Sequence, residues 1–299
     1  MGTIKERMPA YGGQAVIEGV LMRGKKALAM AVRSPSGEIE IQDEILSGIY
    51  KTNILKWPFI RGLVGLWDSL GLGMRYLTKS ANVQTGEEQK IEGFGFYLTI
   101  GISLLFGIGL FFLAPAALAG WFEKIGGLNT WVSNLIEGLI RLAVLIIYLA
   151  IIGKLPEIKR TFAYHGAEHK TINAFEAGAE LTPEIVGKYS LEHPRCGTSF
   201  MLTLVFVSVI FFSLLGPLSI VVRLITRILL IPVIAGIAYE YIRWTSRHIE
   251  NPIVKVIMKP NLWLQHLTTR EPDLSMLEVS IAAFNRMYEL ETENQQPLL

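Results

Sequence analysis

Charged residues are scarce in this chain, and this scarcity restricts the class of protein more than any single motif does. Aspartate, glutamate, lysine and arginine make up 18% of the 299 residues, whereas hydrophobic residues make up 51%. Soluble globular proteins carry about 25% charged residues, so the deficit favours a membrane protein. The formal net charge is only +2, which argues against nucleic acid binding by bulk electrostatic attraction.

Cysteine is also nearly absent. The single cysteine, Cys196, excludes any disulfide bond within the chain. The start, MGTIKERMPAYGG, lacks the apolar core of a secretory signal peptide. It does not match the myristoylation pattern either, because Glu6 stands where that pattern has Ser or Thr. We therefore expect neither a cleaved signal nor an acylated N-terminus.

Several apolar stretches approach the roughly 20 residues that a membrane-spanning helix needs. They predict transmembrane helices at about 95–118, 131–153, 198–215 and 218–242. Gly216 and Pro217 separate the last two, since proline cannot continue a helix. The predicted fold class is a mainly α polytopic membrane protein with about four transmembrane helices, a small N-terminal β-unit and cytoplasmic helices. The lipid bilayer is its predicted partner.

Lysine and arginine predict the orientation of these helices. The loop between the first two contains only Lys124, whereas the 154–198 segment contains Lys154, Lys159, Arg160, Lys170, Lys188 and Arg195. Basic residues are enriched in cytoplasmic loops. We therefore expect a multi-pass protein with both termini and the 154–198 segment in the cytoplasm.

The sequence divides into six predicted segments. They are an N-terminal cytoplasmic β-unit (1–57), an amphipathic interfacial helix and linker (58–93), transmembrane helices one and two (94–153), a cytoplasmic metal-site loop and helix (154–198), transmembrane helices three and four (199–244), and cytoplasmic C-terminal amphipathic helices with a tail (245–299).

Finer predictions concern the polar segments. In the β-unit, SPSG (34–37) predicts a hairpin turn, and residues 14–22 a third strand. Residues 80–93 are expected to be an exposed linker, and the last residues, ETENQQPLL, to be disordered. A capping box that starts at Ser275 predicts a helix at 276–290.

Four charged residues fall within the predicted outer half of the membrane. Glu137 and Arg141 are four residues apart, as are Arg223 and Arg227, so each pair shares one helix face. Such charges need partners because a charge at bilayer depth costs at least about 2.5 kcal/mol. One interpretation is a structural ion-pair cluster, or arginines that reach the outer surface. The other is a polar pathway for a solute or ion.

The main chemical motif lies in the 154–198 segment. His165, Glu168 and His169 form the pattern H-x-x-E-H, the inverted form of the zincin motif. Imidazoles at i and i+4 of a helix project to one side and can share a metal, while the glutamate polarises a water molecule. Histidines on a solvated surface helix are the plain alternative.

A second motif, His193-Pro194-Arg195-Cys196, offers further ligands. If His193 and Cys196 both bind, the site is a closed four-ligand zinc site; if only one binds, a position stays open for water. Glu176 and Glu240 are further candidates for a supporting or third ligand. A catalytic Cys196 thiolate paired with His193 is another alternative.

Four blocks together resemble one family. GGQAVIEGVLMRG (12–24), YHGAEHKTI (164–172), HPRCGTSF (193–200) and LTTREPD (267–273) are similar to the YqhQ-like bacterial membrane proteins. This resemblance covers essentially the whole chain. It implies a bacterial inner-membrane protein and a predicted metal-dependent enzyme, but no substrate. The positions that match its polar motifs are His165, Glu168, His169, His193 and Cys196.

The leading hypothesis is a membrane-embedded metal-dependent hydrolase, for example a peptidase. His165 and His169 would bind a divalent metal, Zn²⁺ by ligand type, with His193 or Cys196 as a further ligand and Glu168 as the general base. The alternatives are a membrane scaffold or regulator with a structural zinc, and a transporter that uses Glu137, Arg141, Arg223 and Arg227.

Overall fold

The computed structural model describes residues 11–46, 57, 59–85, 94–216 and 218–293. The strands in these ranges are β1 Gly12–Val16, β2 Gly19–Arg23, β3 Ala27–Arg33 and β4 Ile39–Ile45. The helices are α1 Ile60–Thr85, α2 Phe94–Ile108, α3 Ala114–Gly126, α4 Thr130–Ile152, α5 Pro156–Glu176, α6 Pro183–Val186, α7 Gly197–Leu214, α8 Ile220–Leu229, α9 Ile231–Arg247, α10 Pro252–Thr268 and α11 Leu274–Glu293, and a π-helical turn, Gly109–Leu113, joins α2 to α3.

The strands form an antiparallel meander in the order β1-β2-β3-β4. The prediction of one strand at 14–22 is wrong, because the chain reverses at Ile17 and Glu18 and β1 pairs with β2. Glu18 has φ 52°, a left-handed conformation that is uncommon outside glycine and belongs to tight turns. The predicted SPSG turn is confirmed between β3 and β4, where Gly37 has φ 91°.

The sheet lies between two helical layers. On one face, Leu28 and Met30 of β3 pack with Tyr76 of α1. On the other face, the smaller Ala29 and Ala31 belong to a cluster with residues of α5 and α11. Successive side chains of a strand point to opposite faces. A strand covered on both faces therefore needs apolar residues throughout, as the sequence ALAMAVR of β3 provides.

Within the described residues, three helical segments are long and apolar enough to cross a membrane: Leu98–Gly126, Thr130–Ile152 and Gly197–Leu214. The first is longer than predicted and contains the π-helical turn. The predicted fourth span is not one continuous helix, because α8 and α9 meet at an angle of 46°. Counted as one broken span, they raise the number of candidate spans to four.

The predicted membrane charges pair with one another inside the helical bundle. Arg141 Nη2 donates to Glu137 Oε1 at 2.7 Å, and Arg227 Nη2 donates to Glu137 Oε2 at 2.8 Å. All three side chains are 1% exposed. Arg223 pairs instead with Glu123, a partner that the sequence reasoning did not identify. The contacts are those of a structural ion-pair cluster, and these arginines do not reach out to a surface.

The π-helical turn supplies part of this cluster's hydrogen bonding. Arg141 Nε donates to the backbone oxygen of Phe111 at 2.8 Å, and its Nη1 donates to Ser208 Oγ at 2.7 Å. A π-turn shifts backbone hydrogen bonding from i+4 to i+5. Phe111, within that turn, thus gives the buried guanidinium an acceptor besides Glu137.

The polar segments differ from expectation in two places. Residues 80–85 are the last turns of α1 rather than linker, and Ser80 is fully buried. The capping box at Ser275 is wrong, because Asp273 Oδ1 accepts the hydrogen bond from the Met276 backbone N–H at 2.9 Å. The rest of the predicted linker (86–93) and of the tail (294–299) lies outside the described residues.

Candidate metal centre

Helix α5, which carries H-x-x-E-H, is buried on most of its surface. Sheet strands, α11 and the 187–196 loop all pack around it. Gly166 permits a further contact, with the segment between α10 and α11, since a Cβ there would lie 2.2 Å from the backbone oxygen of Arg270. Glu168 and His169 are 3% and 1% exposed. The interpretation of these residues as a solvated surface face is therefore wrong.

The two histidines of α5 have a defined tautomer. His165 Nδ1 lies 2.9 Å from the backbone oxygen of Thr268, and His169 Nδ1 lies 2.5 Å from that of Leu191. A carbonyl oxygen only accepts, so each Nδ1 is the donor of its hydrogen bond, which leaves each Nε2 as the ring atom that could bind a metal. Metal-binding histidines are oriented by the same kind of hydrogen bond.

The sulfur of Cys196 lies close to the Nε2 atoms of these two histidines. This cysteine is the N-cap residue of α7, where Sγ accepts from the Thr198 backbone N–H at 3.4 Å. The sulfur lies 3.3 Å from His165 Nε2. One ligand atom from each of His165, His169 and Cys196 fits within 4.8 Å of the others.

His193 lies beside this group but is not part of it. Its ring centroid is 5.5 Å from that of His169. Gln265 of α10 holds its backbone, accepting from His193 N–H at 2.9 Å and donating to its carbonyl at 2.8 Å. Burial, followed by the charge of Arg195, holds the pKa of His193 well below its usual value, so its ring is neutral.

Glu168 stands next to the histidines without hydrogen bonding to either. Its Oε2 is 3.8 Å from His165 Nε2 and 3.7 Å from His169 Nε2. Burial raises the pKa of this carboxyl to about 7, while His165, Arg195 and the Gly13 backbone N–H oppose the rise. The side chain of Glu168 packs against strand β1 at Gly13. Only glycine leaves room for it there, because a Cβ at Gly13 would be 2.9 Å from Glu168 Cγ.

The structure places two further candidates elsewhere. Glu176 forms an ion pair with Arg195. Glu240 pairs with Arg61 of α1, accepting from its Nε at 2.7 Å, and is not in the His–His–Cys group. Neither contributes a ligand atom to that group.

Several contributors were missed because they act through backbone or from distant segments. Gln265 reaches His193 across 72 positions, and the Thr268 carbonyl reaches His165 across 103. Two sequence blocks lie at or next to these contributors. One is LTTREPD, which begins at Leu267, and the other is the 12–24 block, which contains Gly13. Both were noted as motifs, but nothing in their own chemistry predicts a supporting contact.

The donor set fits a divalent metal of the zinc type. Two histidine nitrogens and a cysteine sulfur are ligands that zinc prefers. In addition, His169 Nε2 is buried without a hydrogen-bond partner among the described residues. A buried lone pair without a partner is costly, and a metal at this point would satisfy it.

The fold and site together define a mainly helical protein with three or four helices able to span a membrane, joined to a small α/β unit with a buried His–His–Cys group. The chain belongs to the family described as "Protein of unknown function (DUF1385)", whose model matches residues 57–290. It is 37% identical to the uncharacterized protein YqhQ of Bacillus subtilis (strain 168), over 97% of this chain and 96% of that relative. No solved structure matches it.

These matches confirm the resemblance to the YqhQ-like family. The 12–24 block lies outside the matched family model but within the long alignment to the Bacillus relative. Neither description names an activity, so function depends on the chemistry of the site.

Proposed function

We propose that this chain is a multi-pass protein of the bacterial inner membrane that acts as a metal-dependent hydrolase, with a zinc site facing the cytoplasm. One observation carries the proposal. His165, His169 and Cys196 offer ligand atoms within 4.8 Å of one another, and the carboxylate of Glu168 lies beside both imidazoles. Three protein ligands with an adjacent carboxylate is the arrangement of catalytic zinc sites.

The residues would divide the chemistry as follows. His165, His169 and Cys196 would hold the ion. When bound, zinc supplies Lewis acidity and lowers the pKa of water to near neutrality. Glu168 accepts the proton that the water nucleophile loses and returns it to the leaving group. Gly13 and the buried surroundings keep the Glu168 carboxyl in one position, as a general base requires.

The proposed membrane topology follows from the candidate spans and the basic residues. The segment with the site connects α4 to α7, two candidate spans, and it carries Lys154, Lys159, Arg160, Lys170, Lys188 and Arg195. By the positive-inside rule, this side is the cytoplasm. The sheet and α11 pack on α5 and lie on the same side.

Metal content of the purified full-length chain tests the proposal. We expect about one equivalent of zinc, as a single site binds one ion. His165→Ala with His169→Ala should remove it, whereas His266→Ala should not, because His266 is exposed and pairs with Glu192. Absence of metal from the native protein, together with unchanged behaviour of the double variant, would contradict the proposal.

Glu168→Gln tests the hydrolase step. The variant should keep its metal and lose hydrolysis of ester, peptide or phosphoester reporters by about 10²–10⁴-fold, the usual contribution of a general base. Full activity in a metal-loaded variant would exclude Glu168 as the base.

A closed structural zinc site is the second candidate, favoured by one specific observation. His193 Nε2 is buried without a hydrogen-bond partner among the described residues and could become a fourth ligand. A four-ligand site leaves no position for water. In that case His193→Ala should weaken zinc binding as strongly as Cys196→Ala, and Glu168→Gln should have no effect on function. The transporter hypothesis stays a prediction, which liposome flux with the membrane charges neutralised would test.

A further inference from the structure

Arg195 occupies the position between the two residues of the second motif, His193 and Cys196. Its Nη2 makes an ion pair with Glu176 and lies 3.4 Å from the backbone oxygen of Tyr11. The side chain as a whole is 25% exposed, so it reaches from the buried site towards the surface. Its charge opposes the rise in the pKa of Glu168 that burial causes, and it adds to the lowering of the pKa of His193 by burial.

The Nε of this guanidinium is buried and has no acceptor among the described residues. An arginine N–H can only donate, and a buried donor without an acceptor is destabilising. A ligand that accepts a hydrogen bond from Arg195 Nε would therefore stabilise the protein. The charge of the group makes an anion the best acceptor.

Unpartnered buried groups are concentrated at this place. The described part of the chain has five such side-chain atoms, and three of them are His169 Nε2, His193 Nε2 and Arg195 Nε. The other two are the Nε atoms of Arg33 and Arg243, which have no comparable neighbours in that set. A metal accounts for His169, but it cannot accept from Arg195, because both are cationic.

We propose that Arg195, together with the adjacent His193, forms an oxyanion-binding subsite that recognises a carboxylate or phosphate group of the substrate. The inference rests on the proposed function, since it states that the substrate of the same site carries an acidic group. An arginine beside a metal position places such a group next to the reacting centre. The partial exposure of Arg195 and of His165, at 25% and 15%, gives that substrate a side from which to enter.

The subsite can be separated from the fold by substituting one arginine with lysine. Arg195→Lys keeps the positive charge that pairs with Glu176 but removes the Nε donor. Arg33→Lys is the matched control, because Arg33 also has a buried Nε without a partner and a carboxylate partner, Glu278, yet lies at the end of β3. Titration of inorganic phosphate and of acetate into the full-length, metal-loaded protein would measure binding, and metal content would be determined on the same samples.

Inorganic phosphate or acetate should bind the native protein and the Arg33→Lys variant alike, and the stronger of the two identifies the oxyanion. Binding to Arg195→Lys should be weaker by about tenfold or more, as expected for the loss of one charge-assisted hydrogen bond. Equal binding to native and Arg195→Lys proteins with normal metal content would overturn the subsite but not the metal site. Absent metal with phosphate binding that still depends on Arg195 would overturn the hydrolase and leave the subsite standing.

Discussion

At the scale of single residues, the site depends on backbone atoms as much as on side chains. The Thr268 and Leu191 carbonyls fix the histidine tautomers, and Gln265 fixes the backbone of His193. These contacts connect α5, the 187–196 loop and α10. The candidate ligands are consequently arranged in advance, so that binding of a metal would require little ordering of the protein.

Gly13 is the residue where this arrangement is most sensitive to added volume. A Cβ at Gly13 would lie 2.6 Å from the Leu21 oxygen and 2.9 Å from Glu168 Cγ. Gly13→Ala should therefore displace Glu168 and lower the free energy of unfolding by about 1–3 kcal/mol, the usual cost of overpacking. Thermal or chemical unfolding measures this change.

Gly12→Ala is the control, because a Cβ at Gly12 meets nothing within 4 Å. Equal stability of the two variants would show that Glu168 is not held by close packing against β1. The comparison also explains a limit of the sequence: two adjacent glycines look equivalent in the motif, and only the fold distinguishes them.

The sequence identified His165 and His169 as candidate ligands on one helix face, because histidine spacing on a helix has direct geometric consequences. It left open which of His193 and Cys196 joins the pair from α5, since both lie in one short motif. That choice depends on where α7 begins. With Cys196 as N-cap, the sulfur and not the His193 ring lies in the group of three.

At the scale of elements, α8 has an unusual distribution of side chains. Arg223 and Arg227 are buried, whereas Val221 and Leu229 are 62% and 68% exposed. A helix with charges inside and apolar residues outside suits a lipid surrounding, not water. Glu137 compensates two of the buried cations of the bundle at once.

Glu137→Gln should therefore destabilise the bundle strongly. It leaves Arg141 and Arg227 buried with less compensation, and removing one partner of a buried ion pair costs about 3–5 kcal/mol. Unfolding in detergent would measure the loss. Glu250→Gln should cost at most about 1 kcal/mol, because the Glu250–Lys255 pair is exposed. Similar small losses for both would argue against a structural function of the cluster.

Helix α10 has two different faces. Met258, Leu264 and other buried residues face the bundle, and Asn261 donates to Thr203 of α7 at 3.3 Å. The opposite side exposes Ile253, Val256, Ile257 and Trp263, at 69%, 61%, 45% and 54%. An exposed apolar stripe on a helix packed against a candidate span is expected to contact lipid at the membrane interface.

Spin labels would test this contact. A label at Val256→Cys should be more accessible to oxygen, and one at Lys255→Cys more accessible to a water-soluble nickel chelate. The unsubstituted chain gives the background, which should be low because Cys196 is buried. Equal nickel accessibility at both positions would place the stripe in water.

Helices and strands were predictable to different extents for physical reasons. Long apolar runs identified both ends of α4 and α7 to within one residue, because hydropathy is a strong signal for such helices. The turn at Glu18 was missed because neither Ile17 nor Glu18 is a typical turn residue, and Gly19, which follows them, was assigned to the strand. The bend between α8 and α9 lies within an apolar run, where Pro232 at the start of α9 was the available signal. Such features also depend on contacts between residues that are far apart in the sequence. One example is the hydrogen bond from Arg160 Nε to Glu18 Oε1, at 2.6 Å.

At the scale of the whole molecule, α5 is the element that both ends of the described chain cover. The β-unit packs on it from the N-terminal side and α11 from the C-terminal side. Glu291 near the end of α11 accepts from the backbone N–H groups of Lys26 and Ala27. Residues of three segments that were predicted separately, 1–57, 154–198 and 245–299, thus pack together in one unit. Sequence periodicity could not reveal this, because it carries no information on which distant faces meet.

Truncation tests the dependence of the site on this packing. Removal of all residues after Pro272 exposes the partners of Leu277, Phe284 and Met287, which are at most 1% exposed in the fold. Each such side chain contributes about 1.5–3 kcal/mol, so the loss is a large part of a typical domain stability of about 5–15 kcal/mol. We expect loss of zinc and rapid proteolysis of the β-unit.

Truncation after Glu293 is the control, because it keeps the whole of α11. It should retain zinc and protease resistance. A shorter chain, ending at Pro272, with normal zinc content would show that α11 is dispensable for the site.

The contact between Glu291 and the turn at Lys26 joins positions 265 residues apart. During translation the sheet is therefore made first, and α11, the helix that covers it, is made after every candidate span in the described residues. Until α11 leaves the ribosome, the part of the sheet that it covers, chiefly β3 and β2, stays exposed, and such exposed apolar surface is prone to aggregation. The helix α5 that carries His165 and His169 thus reaches its final packing only when α11 has been made, and a metal that needs this packing would be bound only after that point.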